Sequence, residues 1–532
     1  MRRHTAILAV GALIALIVLV AVAAWMANGD HDESAEPAPQ APAVRFVAGL
    51  PSHPGDLDPH TSSGTSALLV LEQLYETLVW LGPDLRPQPG LATRWEVDDD
   101  GVVWTFHLRR GVTFHDGTLL DADDVVASLQ RVRATGAEAT RLDLVTDLRA
   151  VDDLTVEVEL DRPAADLPAR LGASPRLAIV PADAIEQLDE TGTPPPGTGP
   201  FRQVSPVDRA GAVDLEAVDH HTSTPRIDRL DFRIVGDAEA GLAALRDGRL
   251  HWLATVEPDH VEELEQDDAL DVARIPGLDY FHLGFNVQRA PFDDPELRRA
   301  VGLVLDREAI IAAARPGGGT PNQTAIPASS VWHHEHAPFR HDPDQAQAAL
   351  DQADLDEPVE LLATDEVADS IPIATEVAAQ LAAAGLEVAV RELGFEEFLD
   401  AQAAGGFDLY ALGWAGDLDP DGVYRPVHHS RGSRNYQGLV DDDIDDLLGA
   451  ARQEHEPEAR RELYARATEE IVDRAAYLYL YNADVLRAWS SELRGVRVRP
   501  DGLTSFASVR IAEPADTNDD PTEDDVEADT TS

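Results

Sequence analysis

The sequence predicts an α/β fold, and one stretch carries most of that prediction. Ile373 to Ala384 is an alanine-rich helix ended by Gly385, and Leu386, Val388 and Val390 then alternate as a strand. Phe395 to Ala404 returns to a helical period, and Phe407 to Leu412 alternates again. A strand–helix–strand rhythm of this kind implies a parallel sheet with helices on its faces. The second observation is size: 532 residues, 44% hydrophobic and 6% aromatic, give room for roughly three to four domains at about 150 residues each.

The N-terminus is a separate element. Arg2 and Arg3 precede Ala6 to Met26, 21 residues without a charge, or roughly 32 Å of helix, enough to span a hydrocarbon core. Residues 1–27 are therefore expected to be a signal anchor. A signal peptide is the alternative, since Ala21-Val22-Ala23 offers a small-x-small cleavage site. The flanking arginines keep the N-terminus cytoplasmic and orient the rest of the chain to the outside. Residues 28–43 are acidic and then alternate proline with alanine, an extended linker. Residues 514–532 are Asp, Glu, Thr and Pro with little to bury, and are expected to be an acidic disordered tail.

Within the body, Val44 to Leu50 reads as a strand, Leu68 to Val79 as a helix and Val103 to Leu108 as a strand. Asp121 is the expected cap of a helix running to about Arg133, with acids in its first turn.

Composition excludes several functions. The formal charge is −56, which repels phosphate backbones and argues against nucleic acid as a partner. Every cationic chain is arginine, so Schiff-base and P-loop lysines are absent. Cysteine is absent too, which removes disulfides, thiolate metal sites, a cysteine nucleophile and a lipid-anchor cysteine. The chain contains no GxSxG elbow and no GxGxxG after a strand.

Between Leu91 and Val125 the sequence carries a long pattern: Leu91-Ala92-Thr93-x-Trp95-Glu96, Asp99-Asp100-Gly101, Trp104-x-Phe106-x-Leu108-Arg109-x-Gly111-Val112-x-Phe114-His115-Asp116-Gly117 and Ala122-x-Asp124-Val125. It resembles the signature of family 5 extracytoplasmic solute-binding proteins, the dipeptide-, oligopeptide- and nickel-binding group of ABC importers. The resemblance continues through Gly197-Thr198-Gly199-Pro200-Phe201, Asp228 to Val235, Ala244-Leu245-x-x-Gly248, Phe285-Asn286, Pro291 to Ala300, Leu305 to Glu308, Asp342-Pro343-Asp344-x-Ala346, Asn435-Tyr436 and the helix from Pro457 to Asp473.

The resemblance implies a two-lobed hinge of the periplasmic-binding-protein-like type II plan with an additional inserted domain. Residues 44–66, 200–278 and 484–513 would form the first lobe, 67–199 the insert, and 279–483 the second lobe. It also implies an extracytoplasmic receptor, at the cell surface or in the periplasm, that closes on a small solute, first of all a short peptide. Such a receptor delivers its solute to the permease of an ABC transporter and acts as a monomer without cofactor.

The resemblance further implies a ligand site. Trp414-Ala415-Gly416-Asp417 matches the arrangement in which the carboxylate, here Asp417, pairs with a peptide's α-ammonium. Trp414 would be a wall, Gly416 part of the loop, Ser63-Gly64-Thr65 a first-lobe contact, and Tyr436 a further aromatic wall. A desolvated ammonium is costly to bury unless paired, and a closing cleft removes the water that would screen the pair. Taken alone, Phe407 to Asp421 is also what a solvated acidic loop looks like, and Asp419 and Asp421 read as loop-shaping residues. Ala411 is small where a basic residue could meet the ligand's other end, so the carboxylate partner is unassigned.

Other candidates carry less. His333, His334, His336 and His341 could bind a transition metal, but Pro327 and Pro338 mark a loop and the spacing is irregular; no metal site is expected. His220-His221 and His428-His429 are weaker still. His115-Asp116 reads as turn chemistry before a helix rather than a catalytic pair. The alternatives are a receptor for a nickel chelate, oligosaccharide or other non-peptide solute, a subunit that signals closure to a sensor, and an extracellular hydrolase.

Overall fold

The structure, a computed structural model, describes residues 43–191, 193–219, 224–352 and 357–512. Residues 1–42 and 513–532 lie outside them, and with them the expected anchor, most of the linker and the tail. Among the described residues no helix is long and apolar enough to cross a membrane. His220 and His221 also lie outside.

An eleven-stranded sheet runs through the body. Its first part comprises Val388–Leu393, Val359–Thr364 and Leu409–Trp414; its last part comprises Trp252–Leu253, Arg45–Leu50, Arg229–Ile234, Val213–Ala217 and Phe201–Gln203. Joining them are two long antiparallel strands, Leu270–Phe285 and Tyr477–Ser490. Leu270 to Pro276 pair with Asp484 to Ser490, and Tyr280 to Gly284 pair with Tyr477 to Asn482. The ladder is interrupted between Pro276 and Tyr280, where proline lacks the N–H a ladder needs and Gly277 loosens the backbone. Two lobes thus share two strands, with the irregularity where one gives way to the other.

The parallel expectation holds locally. Val359–Thr364 pairs in parallel with Val388–Leu393 and Leu409–Trp414 through crossover helices Ser370–Ala383 and Phe395–Ala403. The sheet as a whole is mixed, because the shared strands run antiparallel to each other, and one of them runs antiparallel to Leu409–Trp414.

Between Leu50 and Phe201 the chain leaves this sheet and builds a second, four-stranded antiparallel one from Ala92–Val97, Val103–Leu108, Thr155–Leu160 and Val145–Asp152. Helix Ala122–Thr135 covers it, and Asp121 caps that helix by accepting from Asp123 and Asp124 N–H while the Asp124 carboxylate accepts from Asp121 N–H. Phe106, Val125, Leu129, Val132, Val156 and Val158 form its buried core.

Two element predictions shift. The helix read over Leu68 to Val79 spans Thr65–Leu74, and Val79–Leu81 is a strand instead. Tyr75 adopts extended backbone, and its hydroxyl donates to the Pro195 carbonyl at 2.8 Å, which turns the chain away. The strand read from Phe407 begins at Leu409. Asn286 Nδ2 donates to the Phe407 and Gly405 carbonyls, and the Asp408 carboxylate accepts the Glu360 N–H, so side chains hold the groups a ladder would otherwise use.

Candidate functional site

Leu409–Trp414 is hydrogen-bonded in register with Tyr280 to Phe285, and Trp414 stands opposite Tyr280 at its end. The backbone then passes so close to the shared strand that a Cβ on Gly416 would lie 2.1 Å from the Leu278 carbonyl oxygen. Only glycine fits there, so its contribution to the site is the course of the loop. The Asp279 carboxylate accepts the Gly416 N–H; burial raises its pKa, against that hydrogen bond and the charge of Arg315.

Leu418 fixes the next step. It is buried with the core residues of the four-stranded sheet, Phe106 and Val156 among them, although it follows strand Leu409–Trp414. With Leu418 anchored across the seam, Asp417 sits at the boundary with its side chain about one-third exposed. Its Oδ1 accepts the Leu418 N–H at 2.7 Å, and the carboxylate lies against Gly422, where a Cβ would come within 2.6 Å of it.

Asp417 does not face open solvent alone. Arg141, on the short helical turn Ala139–Leu142, places Nη1 3.4 Å from Asp417 Oδ1. Arg141 Nε donates to Glu138 Oε2 at 2.8 Å, Glu138 Oε1 accepts from Arg176 Nη1 at 2.9 Å, and Arg176 Nε donates to the Ser62 carbonyl at 2.6 Å. Burial would raise the Glu138 pKa, but Arg141 and Arg176 together hold it below its ordinary value. Burial would lower the Arg141 pKa, but Asp417 and then Glu138 raise it above its ordinary value.

A continuous run of polar contacts therefore links Asp417 to the loop at Ser62. Ser63, Gly64 and Thr65 follow in that loop, exposed, at the start of helix Thr65–Leu74, with Gly64 at φ 88°. Trp414 and Tyr436 pack on one apolar cluster that includes Tyr280, Tyr424 and Tyr479. The Arg434 guanidinium lies 5.0 Å from the Trp414 ring centroid, and among the described residues it has no carboxylate within 4 Å. Sequence reading missed Arg141, Glu138, Arg176 and Arg434; nothing in their local sequence distinguishes them from other surface arginines and acids.

The remaining candidates are structural. Asp419 caps helix Pro420–His428 and makes a buried two-pronged pair with Arg460 at 2.6 and 2.7 Å. Ala411 is fully buried, so it does not face a ligand. His333 and His341 bond to backbone carbonyls, while His334 and His336 meet Glu469 and Asp473. Among the described residues no group of three or more metal-ligating side chains converges. His115 bonds through Nε2 to the Gly199 carbonyl and takes the Gly197 N–H on Nδ1, pinning the returning strand connection. Buried His428 meets the Tyr479 hydroxyl at 2.7 Å. A cavity of about 980 Å³ lined by His53, Tyr75, His115 and Arg202 contains none of the predicted site residues.

Two lobes joined by shared strands, with a loop-borne carboxylate at the seam, define a periplasmic-binding-protein-like receptor architecture. Residues 86–435 match the bacterial extracellular solute-binding proteins, family 5, and the chain belongs to that family. Its members are transport receptors rather than enzymes and are typically extracytoplasmic. The dipeptide-binding protein of Escherichia coli is 29% identical over 461 residues, covering 80% of this chain and 86% of that protein. Di/tripeptide-binding protein 4 of Pseudomonas aeruginosa is 31% identical over 465 residues, with the same coverage. Among solved structures, HbpA2 from Haemophilus parasuis superposes with a TM-score of 0.82 at 25% identity, covering 88% of this chain and all of that one. The murein tripeptide-binding protein MppA in its unliganded open form gives 0.81 at 22% identity, with 88% and 98% coverage, a likeness of fold.

Proposed function

We propose that this protein captures a short peptide between its lobes and hands it to an ABC importer. The observation that carries the reading is Asp417, a carboxylate fixed at a lobe seam and held by a guanidinium that a ligand's α-ammonium can replace. Exchange of one cation for another keeps the carboxylate paired throughout, which avoids the cost of an isolated buried charge. Trp414 and Tyr436 supply apolar walls, the exposed Ser63-Gly64-Thr65 loop meets the ligand from the first lobe, and Arg434 offers a guanidinium to its carboxylate. Names of relatives support the peptide class, since they include di- and tripeptide-binding proteins.

Residues 44–66, 200–278 and 484–513 act as one lobe against 279–483, with 67–199 inserted. Closure about the Pro276–Tyr280 break buries the solute, and differential affinity for the closed form shifts the population. The 21 uncharged residues from Ala6 to Met26 support export and a membrane anchor; the working unit is a monomer. Native mass spectrometry of the purified protein tests the ligand class: retained peptide masses that disappear in Asp417→Asn support it, whereas a retained metal chelate or glycan refutes it.

A further inference from the structure

Behind Asp417 lies a second cavity of different character. It has a volume of about 640 Å³ and opens between the insert and the second lobe. Five of its twelve lining residues are arginines, namely Arg162, Arg170, Arg425, Arg431 and Arg452. The whole chain has 42 cationic residues among 532 and a net charge of −56, so this local reversal of sign is far from the surface average. Two carboxylates, Asp143 and Asp421, share the lining.

The existing ion pairs do not use all of this charge. Arg162 meets Asp161, Arg170 meets Asp166 and Asp143, and Arg452 meets Asp421 at 3.4 Å. The Arg452 Nε is nonetheless buried without a hydrogen-bond partner. Arg425 and Arg431 have no carboxylate within 4 Å among the described residues. The positive field reaches neighbouring groups: His429 is held below its ordinary pKa by burial and then by Arg425, with Arg431 and Arg452 adding to it against Asp445.

We propose that this cavity binds a multivalent oxyanion of the phosphate class. Guanidinium forks match phosphate oxygens two at a time, and two uncompensated guanidiniums with a spare buried N–H call for an anion carrying more than one charge. Gly422 lines this cavity and also touches the Asp417 carboxylate, so the anion sits behind the cleft without occupying it. The site holds whatever the cleft ligand is.

The test is calorimetric titration of the full-length, detergent-solubilised protein at constant ionic strength set with chloride. Inorganic phosphate, glycerol 3-phosphate as the soluble form of a lipid headgroup, and succinate are compared. Phosphate or its ester should saturate one site, with the tighter of the two naming the source, and succinate should bind at least tenfold more weakly. Arg425→Gln and Arg431→Gln should each weaken phosphate at least tenfold. Arg431 is exposed, so its variant carries the test if Arg425→Gln fails to fold. Absence of saturable phosphate binding, succinate binding as tight as phosphate, or unchanged phosphate affinity in the Arg431→Gln variant would overturn the proposal.

Discussion

Replacing Asp417 by Asn keeps the shape of the side chain and removes its charge. Truncating one partner of a buried, hydrogen-bonded charge pair costs about 2–5 kcal/mol. The Asp417 side chain is 30% exposed, which places it at the low end, near 2 kcal/mol, or about 30-fold in affinity at 1.4 kcal/mol per decade. Arg141 supplies the complementary perturbation. Its 3.4 Å pair with Asp417 is partly solvated on both sides, worth on the order of 1 kcal/mol, so Arg141→Gln should tighten peptide binding about fivefold by removing the competitor. Titration calorimetry with a dipeptide and its N-acetylated form separates charge pairing from general damage. The acetylated peptide should bind the native protein weakly and be indifferent to Asp417→Asn. An equal loss for both peptides in that variant would refute the ammonium role.

Further predictions concern the frame of the site. Breaking the buried Asp419–Arg460 pair with Arg460→Met leaves an unpaired carboxylate and should cost about 3–5 kcal/mol in urea unfolding; an unchanged midpoint would contradict the assigned role. Leu418→Ala removes a 4%-exposed side chain from the core beneath the four-stranded sheet and should cost about 2–4 kcal/mol while weakening peptide binding through the displaced Asp417. Asp421 gives a pH signature. Burial lifts its pKa to about 6, partly offset by Arg452, so the folded state holds its proton more tightly than the unfolded chain does. Its stabilising contribution is full below the unfolded pKa, near 4, and is lost as pH rises through about 6. The stability of the native protein relative to Asp421→Asn should therefore fall between pH 4 and 7; a flat difference would count against it.

The secondary structure near Ile373 to Leu412 was legible because its signals are local: glycine at a helix end, and period-two alternation in the strands. The Asp121 cap was legible for the same reason. The unity of the large sheet was hidden, since Pro276 and Gly277 have the composition of a turn, whereas the chain carries on through them as one strand. Within the proposed site, Trp414 and Asp417 share one short segment and could be read together. Arg141 lies 276 residues from Asp417, and the two meet where Leu418 is buried in another part of the fold. Ala411, noted as small where a basic residue could meet the ligand's other end, is fully buried in the core.

The two shared strands also set the order in which the molecule can be completed. Arg45–Leu50 waits for Arg229–Ile234 as its neighbour, and the same lobe is closed by Asp484 to Ser490. Phe46, near the beginning, packs on Phe506, near the end, with ring centroids 4.9 Å apart. Contacts this distant in sequence form slowly, because the loop entropy must be overcome before they stabilise anything. The four-stranded sheet between Ala92 and Leu160 draws on much shorter spans. The lobe that begins the chain thus finishes later than that sheet, since it cannot close until Asp484 to Ser490 and Phe506 are in place.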